Sequence, residues 1–251
     1  MCTLAVFTRV FPAVPLVVAA NRYELLDRPA LPPGLLRDAP PRAVGGRDLV
    51  AGGTWLGLTE TGLVAGLLNR RSPERPDPTR RSRGQLCLDL LGCTRAAEAA
   101  ARVRAEPAGR YNAFNLLLAD AAEAFVVTQP PRRPSAVVRL EPGLHLLTNL
   151  DVDDPTCPRI AASHRQFAAA GDVFAADGDV DAFVARLHAT LAEHATALDP
   201  RGPGSLCVHA DGYGTRSASV LLVGPGDGLL RYLHAEGPPC RTALAPVALP
   251  C

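Results

Sequence analysis

The chain has 251 residues, 47% hydrophobic and 20% charged, a composition that supports a sizeable core and excludes a disordered chain. Its 26 basic and 25 acidic side chains nearly cancel, which argues against a protein built to grip nucleic acid or an anionic membrane. No apolar run approaches the roughly 18 to 20 residues of a membrane span. All 26 basic residues are arginine, so a Schiff-base lysine is excluded. The seven cysteines, at 2, 87, 93, 157, 207, 240 and 251, show no C-x-x-C spacing. Reduced thiols in a cytoplasmic protein are expected, with no metal site. The apolar N-terminus lacks a basic leading region and is broken by Arg9 and two prolines, so residue 2 is expected to belong to the mature protein.

Short apolar runs at Thr3–Phe7 and Leu16–Ala20 predict two strands. Leu25–Pro41 is Pro-rich and reads as irregular. Trp55–Thr59 and Leu63–Leu68 predict strands around a hairpin turn at Glu60-Thr61-Gly62. Asn69–Arg83, with six arginines and three prolines, predicts an exposed loop. A helix is expected from about Thr94, as N-cap, to Glu106. Strands follow at Phe114–Ala119, Ala124–Thr128, Val137–Leu140 and Leu144–Thr148. Two helices come next. The clearer one places Val180, Phe183, Val184, Leu187 and Leu191 on one stripe. Strands at Leu206–His209, Ser217–Val223 and Leu229–His234 precede a Pro-containing tail, with Gly224-Pro225-Gly226-Asp227-Gly228 as a hairpin turn. Tight hairpins mean antiparallel pairing. Grouped helices and many strands predict an α+β fold: two antiparallel sheets face to face with helices outside, in one domain spanning residues 1–251.

Nucleophile-elbow, phosphate-loop and zinc-protease motifs are absent. Cys207 and His209 share a strand face, but two ligands do not make a metal site, and a packed cysteine is expected. Cys2 is different. Removal of the initiator methionine would leave a thiol and a free α-amine on one residue. With an ordinary pKa of about 7.7 to 8.0, that amine can take the thiol proton and later protonate a leaving group. A small residue opening a buried strand would look the same. Strand ends carrying Asn21-Arg22-Tyr23-Glu24, Asn69, Asn149 and Arg216 would gather near residue 2 if they share one rim. There the asparagines could donate to an oxyanion and the arginines could lower the thiol pKa.

These residues carry a resemblance. Met1-Cys2, Val18-Ala19-Ala20-Asn21-Arg22-Tyr23-Glu24, Arg28-Pro29 and Gly46-Arg47-Asp48-Leu49-Val50-Ala51-Gly52-Gly53-Thr54-Trp55 resemble the NRDE family, also called the transport and Golgi organisation protein 2 family. Leu67-Leu68-Asn69-Arg70, Tyr111-Asn112-Ala113-Phe114-Asn115, His145-Leu146-Leu147-Thr148-Asn149 and Gly212-Tyr213-Gly214-Thr215-Arg216-Ser217 follow the same pattern. The resemblance implies a four-layer αββα sandwich of the N-terminal-nucleophile hydrolase type. By similarity to the cysteine branch of that superfamily, Cys2 matches the nucleophile and Arg22 the arginine beside it. Asn69 and Asn149 match oxyanion or positioning asparagines, and Arg216 a late site arginine. Asn21, Glu24, Arg70 and Trp55 are expected to contact substrate. The chain departs from the family pattern at Tyr23, where an aspartate is usual, and at Thr156-Cys157-Pro158-Arg159, where a tryptophan and a lysine are usual.

The implied activity is hydrolysis of a linear acyl amide without a cofactor. The alternative is a carrier for haem or an acyl-CoA, with the arginines of residues 69–83 holding the ligand's propionates or phosphates. Either reading expects a small acyl or haem-like partner and no nucleic acid.

Overall fold

A computed structural model describes residues 2–194, 205–226 and 230–249. The first strands are β1 (Thr3–Phe11), β2 (Val14–Leu25), β3 (Ala30–Arg37), β4 (Ala43–Asp48), β5 (Leu56–Thr59) and β6 (Val64–Asn69), followed by helices α1 (Arg83–Leu90) and α2 (Ala96–Arg104). Next come β7 (Phe114–Ala119), β8 (Ala124–Gln129), β9 (Ala136–Arg139) and β10 (Gly143–Leu147), then α3 (Pro158–Asp177) and α4 (Val180–Leu191). The chain closes with β11 (His209–Ala210), β12 (Tyr213–Val223), β13 (Leu230–Ala235) and β14 (Ala245–Pro246).

All described strand pairs are antiparallel, in two sheets. One runs β10-β1-β2-β12-β13-β14 with β11 on β12; the other runs β3 to β9 in chain order. Strand β1 shows why layers form. Its residues are apolar on both faces, so the sheet must be covered on both sides. Leu4 and Val6 point into a core shared with Leu58, Val64 and Leu117 of the second sheet. Ala5 and Phe7 point the other way, against Phe167, Phe183 and Leu187 of α3 and α4, where the Phe174 and Phe183 rings stack at 4.5 Å. On the far side of the second sheet, Phe114 and Leu116 meet Leu86, Leu90, Ala99 and Val103 of α1 and α2. Three cores between four layers make the αββα sandwich.

Several expectations are corrected. The Pro-rich stretch holds β3, which is tolerated because it is an edge strand whose register shifts across Pro32-Pro33, between Leu31 and Gly34, and again between Leu35 and Arg37. Helix α1 was not foreseen. Its short apolar stripe (Leu86, Cys87, Leu90) follows directly on the arginine-rich run. Helix α2 begins at Ala96 after Arg95, with Glu98 accepting from Thr94 N–H (2.9 Å). Of the expected strand Leu206–His209, only His209 pairs, because Cys207 N–H is taken by Glu193 O (2.8 Å). The proposed turn at 224–228 and the start of its strand at Leu229 lie partly outside the described residues. No described helix is long and apolar enough to cross a membrane.

Candidate functional site

The β1/β2 hairpin pairs Thr3 with Asn21, which brings Cys2 alongside Arg22 at the open end of both strands. A cleft of about 410 Å³ opens there, lined by Cys2, Arg22, Glu24, Asp48, Trp55 and Asn69, with Arg28, Asp77, Arg80, Arg81 and Arg83 around them. Beneath Cys2, a recess of about 20 Å³ reaches between the sheets to Ser217 and Ser219.

Strand alternation sorts the tetrad after Ala20. Arg22 and Glu24 face the cleft. Asn21 and Tyr23 face the helix layer. Arg22 is 6% exposed, and its guanidinium lies 3.9 Å over the Trp55 ring, 3.5 Å from Asp48 Oδ2. Burial pulls its pKa below the ordinary value, while the negative charge available at Cys2, Glu24 and Asp48 works to hold the proton. Asp48 is clamped in turn: Arg28 donates through Nε (2.6 Å) and Nη2 (2.9 Å), and Val50 and Ala51 donate backbone N–H. Burial alone would raise the Asp48 carboxyl. The bonds from Arg28 and Ala51 outweigh it and keep the group ionised below the usual range.

The long glycine-rich motif is thereby explained. Asp48 closes the turn at residues 48–53, and Trp55 lies flat against Gly46, where a Cβ would come within 2.2 Å of the ring. Gly53 touches the backbone of Gly84, which a Cβ would meet at 2.0 Å. Each glycine is a close approach that seats the indole under Arg22 or the following segment over the cleft.

That following segment is not simply exposed. Asn112 pins it through both amide atoms to Asp77 (2.9 Å each), and Arg83 Nη1 donates to Ala113 O (2.9 Å). Arg80, Arg81 and Arg83 therefore form a wall. The cleft carries five arginines against three carboxylates, a positive balance suited to an anionic ligand. The side chain of Asn69 makes no hydrogen bond to the described residues and lines the cleft.

Four expected site residues are turned elsewhere. Asn21 is fully buried and donates to Leu191 O and Leu206 O, both at 2.8 Å. Arg70 binds Asp151 (2.7 Å) and Asn115 Oδ1 (3.2 Å) beside a separate groove. The backbone carbonyl of Asn149 accepts from Arg71 N–H (2.7 Å), and the residue is not among those lining the cleft. Arg216 sits at a register shift between Thr215 and Ser217 and donates to Leu26 O, so the bulge carries it off the lining. Its charge still reaches Arg22.

The two departures from the family pattern meet in space. Tyr23 is buried, donates to Leu206 O (2.7 Å) and shares a hydrogen bond with Thr3 Oγ1 (3.0 Å). The Arg159 guanidinium lies 4.8 Å over its ring and donates to Thr3 Oγ1 (3.3 Å). Burial raises the Tyr23 pKa, so the phenol stays neutral. Among the described residues, one group of metal-ligating side chains converges, His194, Cys207, His209 and Cys240, and it lies outside the cleft.

The profile of the family described as Transport and Golgi organisation 2 matches residues 1–231. The chain belongs to that family. It is 28% identical over 232 residues to the transport and Golgi organization protein 2 homolog of Bos taurus, covering 83% of this chain and 82% of the relative. The Homo sapiens homolog is 29% identical over 230 residues, with the same coverage of 83% and 82%. Among solved structures, an N-acylethanolamine-hydrolyzing acid amidase ortholog from Caenorhabditis elegans superposes with TM-score 0.62 at 13% identity, over 91% of this chain and 94% of that one. Penicillin V acylase from Agrobacterium tumefaciens gives 0.59 at 13% identity, over 98% and 84%. A mutant conjugated bile acid hydrolase from Clostridium perfringens gives 0.57 at 10%, over 100% and 97%. At these identities the likeness is one of fold, and the family member described here has the N-terminal-nucleophile hydrolase fold.

Proposed function

We propose that the chain is an N-terminal-cysteine amidohydrolase that cleaves a linear acyl amide carrying an anionic group. The observation that carries this reading is the position of Cys2 at the head of β1, opening on the same cleft as buried Arg22 and the unengaged amide of Asn69. Removal of Met1 frees the α-amine of Cys2. That amine takes the thiol proton, and the thiolate attacks the acyl carbonyl. Asn69 donates to the oxyanion that forms. Collapse of this intermediate breaks the C–N bond, and the ammonium of Cys2 passes its proton to the departing amine. Water, deprotonated by the same α-amine, then cleaves the thioester and releases the carboxylic acid. Arg22 holds positive charge beside the sulfur. The wall of Arg80, Arg81 and Arg83 supports an anionic end on the substrate.

The test pairs intact-mass measurement with turnover. Loss of Met1, an acyl adduct on Cys2 after brief exposure to N-acyl amino acids, and release of free amine are the expected results. A retained Met1 with no adduct overturns the proposal.

The same positive cleft also favours a second reading, a carrier for haem or an acyl-CoA that binds without turnover. Saturable binding of haemin or a long-chain acyl-CoA, unaffected by Cys2→Ser, would support carriage over hydrolysis.

A further inference from the structure

Away from the cleft, four side chains from three separate segments converge. His194 follows α4, Cys207 leads into β11, which His209 opens, and Cys240 lies in the turn after β13. Their ligand atoms all lie within 4.8 Å of one another. His209 Nε2 is 3.5 Å from Cys207 Sγ and 3.3 Å from Cys240 Sγ. The His194 and His209 rings stand 5.2 Å apart, and the buried Nε2 of His194 has no hydrogen-bond partner.

We propose that His194, Cys207, His209 and Cys240 bind one zinc ion in a closed, structural two-cysteine, two-histidine centre. Zinc bonds of about 2.3 Å to sulfur and 2.0 to 2.1 Å to nitrogen give a tetrahedron with edges of about 3.3 to 3.8 Å. The two sulfur–nitrogen separations already fall in that range, and the outer limit of 4.8 Å leaves a contraction of about 1.5 Å at most for the remaining pairs. The charges balance. Each thiol releases its proton to solvent as its sulfur binds, so two thiolates and two neutral imidazoles neutralise the dication. With four protein ligands no coordination position is left for a substrate, so the ion is structural and takes no part in amide cleavage.

The backbone that carries the four side chains is held in place by its own hydrogen bonds. Ser205 Oγ donates to His194 O (2.9 Å), Cys207 N–H to Glu193 O (2.8 Å), and Val208 N–H to Thr215 Oγ1 (2.8 Å). His188 Nε2 meets Thr242 O at 3.1 Å and fixes the Cys240 turn against α4. The centre also bears on the cleft at one remove. Leu206, next to Cys207, accepts from both Asn21 and Tyr23, so the ion braces the shelf behind Arg22.

The experiment uses the full chain, purified without chelator or added metal. About one zinc per chain by mass spectrometry of the ions is expected. Cobalt exchanged into the protein should give the intense sulfur-to-cobalt charge-transfer and tetrahedral ligand-field bands, both lost in Cys207→Ser and Cys240→Ser. Cys207 and Cys240 should resist alkylation in the folded protein until a chelator is added. Should the serine variants fail to fold, the wild-type cobalt spectrum and chelator-triggered alkylation decide the matter. Background metal content with no cobalt charge-transfer band overturns the proposal. Recovery of Cys207 and Cys240 as a disulfide-linked peptide from freshly purified protein overturns it equally.

Discussion

The end of β2 presents two faces with opposite designs. Toward the cleft, Arg22 and Glu24 are charged and stand beside Cys2 and Asn69, with polar capacity left for a ligand. Toward the helices, Asn21 and Tyr23 are buried and spend their hydrogen bonds on fixed protein carbonyls. Four consecutive residues thus divide into a cleft-facing pair and a supporting pair, simply because a strand alternates. The lesson is that a contiguous motif in sequence need not be one site in space. Its even members line the cleft and its odd members hold the strand that carries them.

The division makes graded predictions. Cys2→Ala should remove turnover altogether, a loss of ~10³-fold or more, with thermal unfolding unchanged; residual activity near wild type breaks the assignment of the cleft face. Arg22→Gln should lower kcat/KM by about 10²-fold. Asp48 keeps its Arg28 clamp, so circular dichroism should show an intact fold.

The opposite pattern is expected on the helix face. Asn21→Leu removes one donor from each of Leu191 O and Leu206 O, leaving the latter with Tyr23 alone, and should destabilise the fold by about 2 to 3 kcal/mol. Tyr23→Phe, which loses one donor bond, should cost about 1 kcal/mol. For Asn21→Leu, activity per folded molecule should stay close to wild type. A large kcat effect with unaltered stability would move Asn21 back into the reactive half.

The smallest effect concerns β10, which flanks β1. His145 Nδ1 lies 2.7 Å from Asp153 Oδ2, and that hydrogen bond outweighs burial to raise the His145 pKa. A raised folded value means the contribution is complete below the unfolded pKa of about 6.5 and fades as pH climbs through the folded one. The melting-temperature gap between wild type and His145→Gln should therefore narrow between mildly acidic and alkaline pH. A gap that widens contradicts the pairing.

Legibility in the sequence followed periodicity. The alternating or continuous apolar runs of β1, β2, β5 to β8 and β12, and the stripe of α4, were readable because burial on one or two faces leaves a local trace. Strand β3 was hidden by its prolines, which an edge position tolerates. Helix α1 was hidden by brevity. In the site, Cys2, Arg22, Glu24, Trp55 and Asn69 were all named from sequence, and they share the cleft. Arg80, Arg81 and Arg83 read either as an exposed loop or as holders of a carrier's anionic ligand, and the Asn112–Asp77 clasp that fixes their segment over the cleft joins distant parts of the chain.

The convergence of His194, Cys207, His209 and Cys240 was the least legible feature. Its only sequence trace is the Cys207-Val208-His209 spacing, since His194 and Cys240 arrive from a helix end and a turn with no local signature.

Local chemistry alone therefore determined which segments form strands and helices, which residues face a core, and that a cysteine stands at position 2 before an apolar strand. Only the tertiary structure decided which polar residues meet: that Arg22 lies on Trp55, that Tyr23 lies under Arg159, and that four thiol and imidazole groups close around one point. The physical reason is range. Hydrophobic alternation is written within a few residues, whereas a site is assembled from strand ends and turns whose approach is set by the packing of whole layers.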